Sequence, residues 1–93
     1  MSVSWDDFPV DPSITHADVD QAVSAIRSAF PGCFDEPESL VVCDFRDEGE
    51  GFKIVPHGMD PVEVSAVLND GYPGMPERTY FEVSWGGLYL HRI

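Results

Sequence analysis

The sequence predicts an α+β fold of the order helix, hairpin, helix, hairpin (αββαββ): a four-stranded antiparallel sheet with two helices packed on one face. Three observations carry this. Residues 78–93, RTYFEVSWGGLYLHRI, place two alternating aromatic-rich runs around Gly86-Gly87, the signature of a tight hairpin. Residues 15–30 carry apolar side chains at helical spacing behind a capping threonine. Asp60-Pro61-Val62-Glu63 concentrates the signals that start a helix.

The closing hairpin predicts its own register. With Gly86-Gly87 as the two-residue loop, Trp85 faces Leu88, Ser84 faces Tyr89, Val83 faces Leu90 and Glu82 faces His91. Trp85, Leu88, Val83, Leu90 and Phe81 then form a core face. Ser84, Tyr89, Glu82, His91 and Tyr80 form a polar-aromatic face. Glu82 and His91 are the sharpest pair on it, since a carboxylate across from an imidazole favours its charged form.

Ahead of it, Val3-Ser4-Trp5 offers a short edge strand, and Pro9 and Pro12 break regular structure. Thr15 is a good N-cap with Asp18 placed to close a capping box. Val19, Ala22, Val23, Ile26, Ala29 and Phe30 make one stripe, ended by Pro31-Gly32. A strand over 39–46 and a return strand over 52–55 flank a turn at 47–51. Phe45 opposite Ile54 would put Val41, Cys43, Phe45, Phe52 and Ile54 on the inner face. In the second helix Asp60 is the N-cap, Pro61 is N1, Glu63 closes a box, Val64, Val67 and Leu68 face the core, and Gly71 is C′. Tyr72-Pro73-Gly74-Met75-Pro76 is a connecting loop.

The totals describe one domain, 1–93, of 93 residues with 43% hydrophobic content, enough for a single modest core. Seventeen acidic against five basic residues give a net charge of −12. That charge opposes direct binding to nucleic acid and to anionic membranes, which reward positive charge. No run is long enough for a membrane span and no leader pattern opens the chain, so the reading is cytoplasmic. The acids are spread along the chain and Lys53 is the single lysine, a composition similar to that of haloarchaeal proteins. Cys33 and Cys43 are too few for a disulfide scaffold; Cys43 is expected buried and Cys33 exposed.

Catalytic chemistry finds no motif. The histidines and cysteines lack metal-ligand spacing, no glycine-rich loop opens a helix beside a lysine, and no nucleophile elbow is present. The chain is therefore read as non-enzymatic, with no cofactor and no metal. The function expected is binding to a basic protein, as an inhibitor, immunity or anti-defence protein would bind. Tyr72, Met75, Tyr80, Glu82, Tyr89 and His91 are the expected contacts, because aromatic and methionine side chains anchor interfaces. The alternative is a halophile-adapted housekeeping domain, or a subunit of a larger assembly, whose acids serve solubility alone.

Overall fold

The computed structural model describes residues 11, 13–44 and 51–93. The expected strand at 3–5, Phe45, Arg46 and the turn at 47–50 lie outside the described residues. The elements are α1 (His16–Ala29), a single 3₁₀ turn (Pro37–Ser39), β1 (Leu40–Asp44), β2 (Phe52–Pro56), α2 (Pro61–Leu68), β3 (Thr79–Ser84) and β4 (Gly87–Arg92). The strands form one antiparallel sheet in the order β1-β2-β4-β3.

Helix α1 starts where its capping chemistry dictates. The Asp18 N–H donates to Thr15 Oγ1 at 3.2 Å and the Thr15 N–H donates to Asp18 Oδ2 at 3.0 Å, a complete capping box. Val19, Ala22, Ala25 and Ile26 are buried, with Val23, Ala29 and Phe30 packed at the margin of the core. Ala25 joins the stripe because the helix buries a wider arc than the sequence spacing singled out. Helix α2 keeps its Asp60 cap and its Pro61. The cap bond, however, comes from the Val62 N–H at 2.9 Å, one residue before the position a capping box uses. Its C-cap is Asn69, so Gly71 stands one position beyond C′. Val64 and Leu68 are buried with Ser65, whereas Val67 is exposed. The inward face is centred on positions 64, 65 and 68, and at 3.6 residues per turn Val67 falls more than a quarter-turn away from that centre.

Both hairpins differ in register from expectation. In the closing hairpin Phe81 pairs with Leu90, Val83 with Leu88 and Ser84 with Gly87, so the loop is Trp85-Gly86. Both loop residues have positive φ, 52° and 72°, as a type I′ turn requires. The slip preserves parity, so Phe81, Val83, Leu88 and Leu90 still share the inner face. Trp85 does not: it leaves the core face for the turn and is 51% exposed. In the first hairpin Val42 pairs with Ile54 and Cys43 with Lys53. This register flips β1. Leu40 and Val42 stand on the side of Ile54, and Val41 and Cys43 stand on the outer side, half-buried. Cys43 is thus not a core residue.

The core joins Ile14, Val19, Ala22 and Ile26 to Val64, Leu68, Leu40, Phe52, Ile54, Phe81, Leu88 and Leu90. Phe34 caps one end, meeting Phe30 edge-on at 6.2 Å, while its carbonyl accepts from the Arg27 guanidinium.

Candidate functional site

Strand alternation sends Tyr80, Glu82, Tyr89 and His91 to the sheet face opposite Phe81 and Leu90. Three of them form a unit. The rings of Tyr80 and His91, directly opposite each other across the ladder, stack at 5.3 Å with 24° between planes. His91 Nε2 and Glu82 Oε2 lie 2.8 Å apart. Glu82 reaches the imidazole diagonally, because its ladder partner is Tyr89. Among the described residues no group bonds His91 Nδ1. The result is a flat aromatic surface with a carboxylate at its rim, and Tyr80 is 40% exposed.

Tyr89 differs from expectation. Its accessible surface is 0%, so this face is covered at its centre. Lys53 crosses there, with Nζ 5.9 Å from the Tyr89 ring centroid. The same ammonium donates to the Trp85 carbonyl at 2.6 Å and so pins the hairpin turn. Burial raises the Tyr89 phenol pKa, and Cys43 adds to the rise.

Tyr72 and Met75 are not brought to this face. Both pack against the core beside α1: the Tyr72 hydroxyl donates to Ser28 Oγ at 3.1 Å, and Gln21 Nε2 donates to the Gly74 carbonyl at 3.0 Å. The breaker-rich loop is therefore fastened to α1 and helps close the apolar interior.

Next to His91, Arg92 gathers distant segments. Its NH2 lies 2.5 Å from Asp18 Oδ2, the same carboxylate that caps α1. Its NH1 donates to the Glu77 carbonyl at 3.0 Å. Its backbone N–H donates to Asp11 Oδ2 at 2.7 Å, and Asp11 Oδ1 accepts from Ser13 N and Ser13 Oγ. Asp18 is held below the usual carboxylate range, first by the Thr15 N–H, against the effect of burial, and then by the Thr15 hydroxyl and Arg92. For Asp11, burial acts to raise the pKa and is the largest influence. The bonds from Arg92 and Ser13, with the nearby His91, together outweigh it, and the net shift is downward.

Among the described residues no group of three His, Cys, Asp or Glu side chains converges as metal ligands. Cys33 is exposed, as its position after α1 predicts. No helix among the described residues is long and apolar enough to cross a membrane.

No protein-family model matches this chain, and neither curated proteins nor solved structures gave a match.

Sequence reasoning missed Trp85. It read this side chain as core, yet Trp85 projects at a hairpin tip in a left-handed conformation that favours glycine or asparagine. The Trp-Gly-Gly triplet was the available signal, since either overlapping pair can form the turn.

Proposed function

We propose that this chain is a small, non-enzymatic protein-binding module that docks on a basic protein partner, in the manner of an inhibitor, immunity or anti-defence protein. Both helices lie on one side of the sheet, and the exposed part of the opposite side, around Tyr80, is the working surface. Tyr80, Glu82 and His91 make the contact, Trp85 stands at the other, turn end of the same hairpin, and buried Tyr89 supports them from within the sheet. Tyr72 and Met75 act indirectly, by closing the core.

The observation that carries this reading is the Tyr80–His91–Glu82 unit: a stacked aromatic pair with a carboxylate 2.8 Å from the imidazole. A partner arginine fits such a surface, its guanidinium stacking on the tyrosine and sharing the carboxylate. A net charge of −12 would speed the encounter and make it sensitive to salt.

The test is capture of basic proteins on the immobilised chain from low to molar salt, repeated with Tyr80→Ala and Glu82→Gln. A specific partner should be released by salt, and each substitution should weaken it by about tenfold, the effect of losing one interface anchor. The reading fails if both variants bind as the parent does and polyglutamate captures the same proteins.

One observation favours a second reading, halophile adaptation of a housekeeping domain. Exposed acids are spread over both helices, the 3₁₀ turn, β1, β3 and a loop, including Asp20, Glu38, Asp44, Glu63, Asp70 and Glu82, while the single lysine is engaged with the Trp85 carbonyl. That reading expects a melting temperature that climbs steeply with added NaCl and no partner dependent on Tyr80.

A further inference from the structure

The two outer edges of the sheet are treated differently. On β3 the ladder to β4 is set by the Ile93 N–H donating to the Arg78 carbonyl at 2.7 Å. The phase of that ladder turns the backbone groups of Thr79, Phe81 and Val83 outward. The side-chain amide of Asn69 closes this edge at its middle. Asn69 Oδ1 accepts from the Phe81 N–H at 2.7 Å, and Asn69 Nδ2 donates to the Phe81 carbonyl at 2.9 Å. One side chain thus imitates a neighbouring strand at that position.

At Val42, the middle of the β1 edge, there is no such clamp among the described residues. The His57 N–H donates to the Ser39 carbonyl at 2.9 Å. That bond places Ser39, Val41 and Cys43 in the positions bonded to β2, so the N–H and C=O groups of Leu40 and Val42 point away from the sheet. The Leu40 N–H ends the 3₁₀ turn over Pro37–Ser39, and no described residue pairs with the Leu40 carbonyl or with the Val42 groups. Val42 lies on the helix side of the sheet yet is 41% exposed. The approach is acidic: Asp35, Glu36 and Glu38 are exposed immediately before the strand.

We propose that the outer edge of β1 accepts an extended, lysine- or arginine-bearing segment of a partner protein as a fifth strand. The Leu40 carbonyl and the main-chain N–H and C=O of Val42 supply the ladder, Val42 supplies an apolar contact for an alternate guest side chain, and Glu36 and Glu38 receive the positive ones. A second copy of this acidic chain would bring like charges together at the same edge, which disfavours self-pairing. The inference takes from the proposed function only the partner's positive charge. The surface is a different one.

The test uses the full chain, isotope-labelled, titrated with a short synthetic peptide that alternates lysine with valine. Expected are amide shifts along β1 and slowed hydrogen exchange at Val42, with no response to the same peptide carrying glutamate in place of lysine. Val42→Pro removes the outward donor without taking a bond from the β1–β2 ladder, so the fold should survive, and binding should weaken by about tenfold or more. Glu36→Gln with Glu38→Gln, which leaves the backbone untouched, should weaken binding and flatten its salt dependence. Slow exchange of the Val42 amide in the free, dilute protein would overturn the proposal. So would shifts centred on Tyr80 and His91, unchanged binding by Val42→Pro, or pairing of two copies at β1. Tyr80→Ala separates the two readings: it should weaken capture at the sheet face by about tenfold and leave peptide binding at the β1 edge unchanged.

Discussion

Gly87 is required for space. Its φ is ordinary, but a Cβ built on it would stand 2.6 Å from Lys53 Cε, 3.0 Å from Lys53 Cγ and 3.1 Å from the Ile54 carbonyl oxygen. Comfortable carbon–carbon contact begins near 3.5 Å. Gly87→Ala therefore forces a choice. If Lys53 swings aside, its bond to the Trp85 carbonyl is lost, worth roughly 0.5–1 kcal/mol for an exposed contact. If β4 shifts instead, the Ile54–Leu88 register pair that joins the two halves of the sheet is strained. Overpacking of this kind costs about 1–3 kcal/mol. The reduced freedom of the unfolded chain returns about 0.5 kcal/mol. The net expectation is a loss of about 1–2 kcal/mol, and a fall in Tm of roughly 5–15 °C for a domain of this size. Urea and thermal melts of Gly87→Ala, Lys53→Ala and the double variant form the assay. In the Lys53→Ala background the lysine obstruction is gone and only the Ile54 oxygen remains, so Gly87→Ala should cost less than half as much. Equal costs in both backgrounds, or a Gly87→Ala protein as stable as the parent, would refute the steric account.

Three other outcomes follow from the same geometry. Because the pKa values of Asp11 and Asp18 are lowered in the folded state, their contribution to stability is whole above the unfolded value of about 3.9 and is lost as pH falls through the folded values. Asp18→Asn should therefore flatten the acid limb of a plot of urea midpoint against pH. Trp85→Gly should melt higher than Trp85→Ala by about 1 kcal/mol, because both lose the indole but only alanine keeps the left-handed strain; equal midpoints would place the strain elsewhere. Asn69→Ala should cost about 1–3 kcal/mol by stripping the partners from Phe81, and Asn69→Asp should do no better, since its second oxygen faces a carbonyl; full recovery by Asp would sink the clamp.

How far the sequence could be read depended on whether a local signal had competitors. Helix α1 had none: Thr15, Asp18 and the stripe from Val19 to Ile26 agree on one start and one face. The closing hairpin had two candidate turns, Trp85-Gly86 and Gly86-Gly87. Glycine content favours the second, yet the fold takes the first, because Gly87 must lie under Lys53 and against Ile54. The difference preserves side-chain parity, so the inner and outer faces were legible even though the pairing was not. In the first hairpin the inner-facing Leu40 and Val42 and the outer-facing Val41 and Cys43 are equally apolar, so alternation alone could not choose between them. The Tyr80–His91–Glu82 unit was legible as a shared face. Its stacking was not, since it depends on Tyr80, rather than Glu82, standing opposite His91. The roles of Asp11, Arg92 and Asn69 had no local signature at all; each acts on backbone brought near by tertiary structure.

The bond between Asp18 and Arg92 spans 74 positions of sequence, and it bears on how the molecule assembles. The carboxylate that locks the first turn of α1 is completed by a guanidinium at the far end of β4. Closing so long a segment carries a large entropic cost before any contact repays it. The start of the helix and the end of the last strand should therefore form late and together in refolding. In hydrogen exchange the amides of Asp18 and Arg92 should open as one cooperative unit, although no stretch of continuous secondary structure links them.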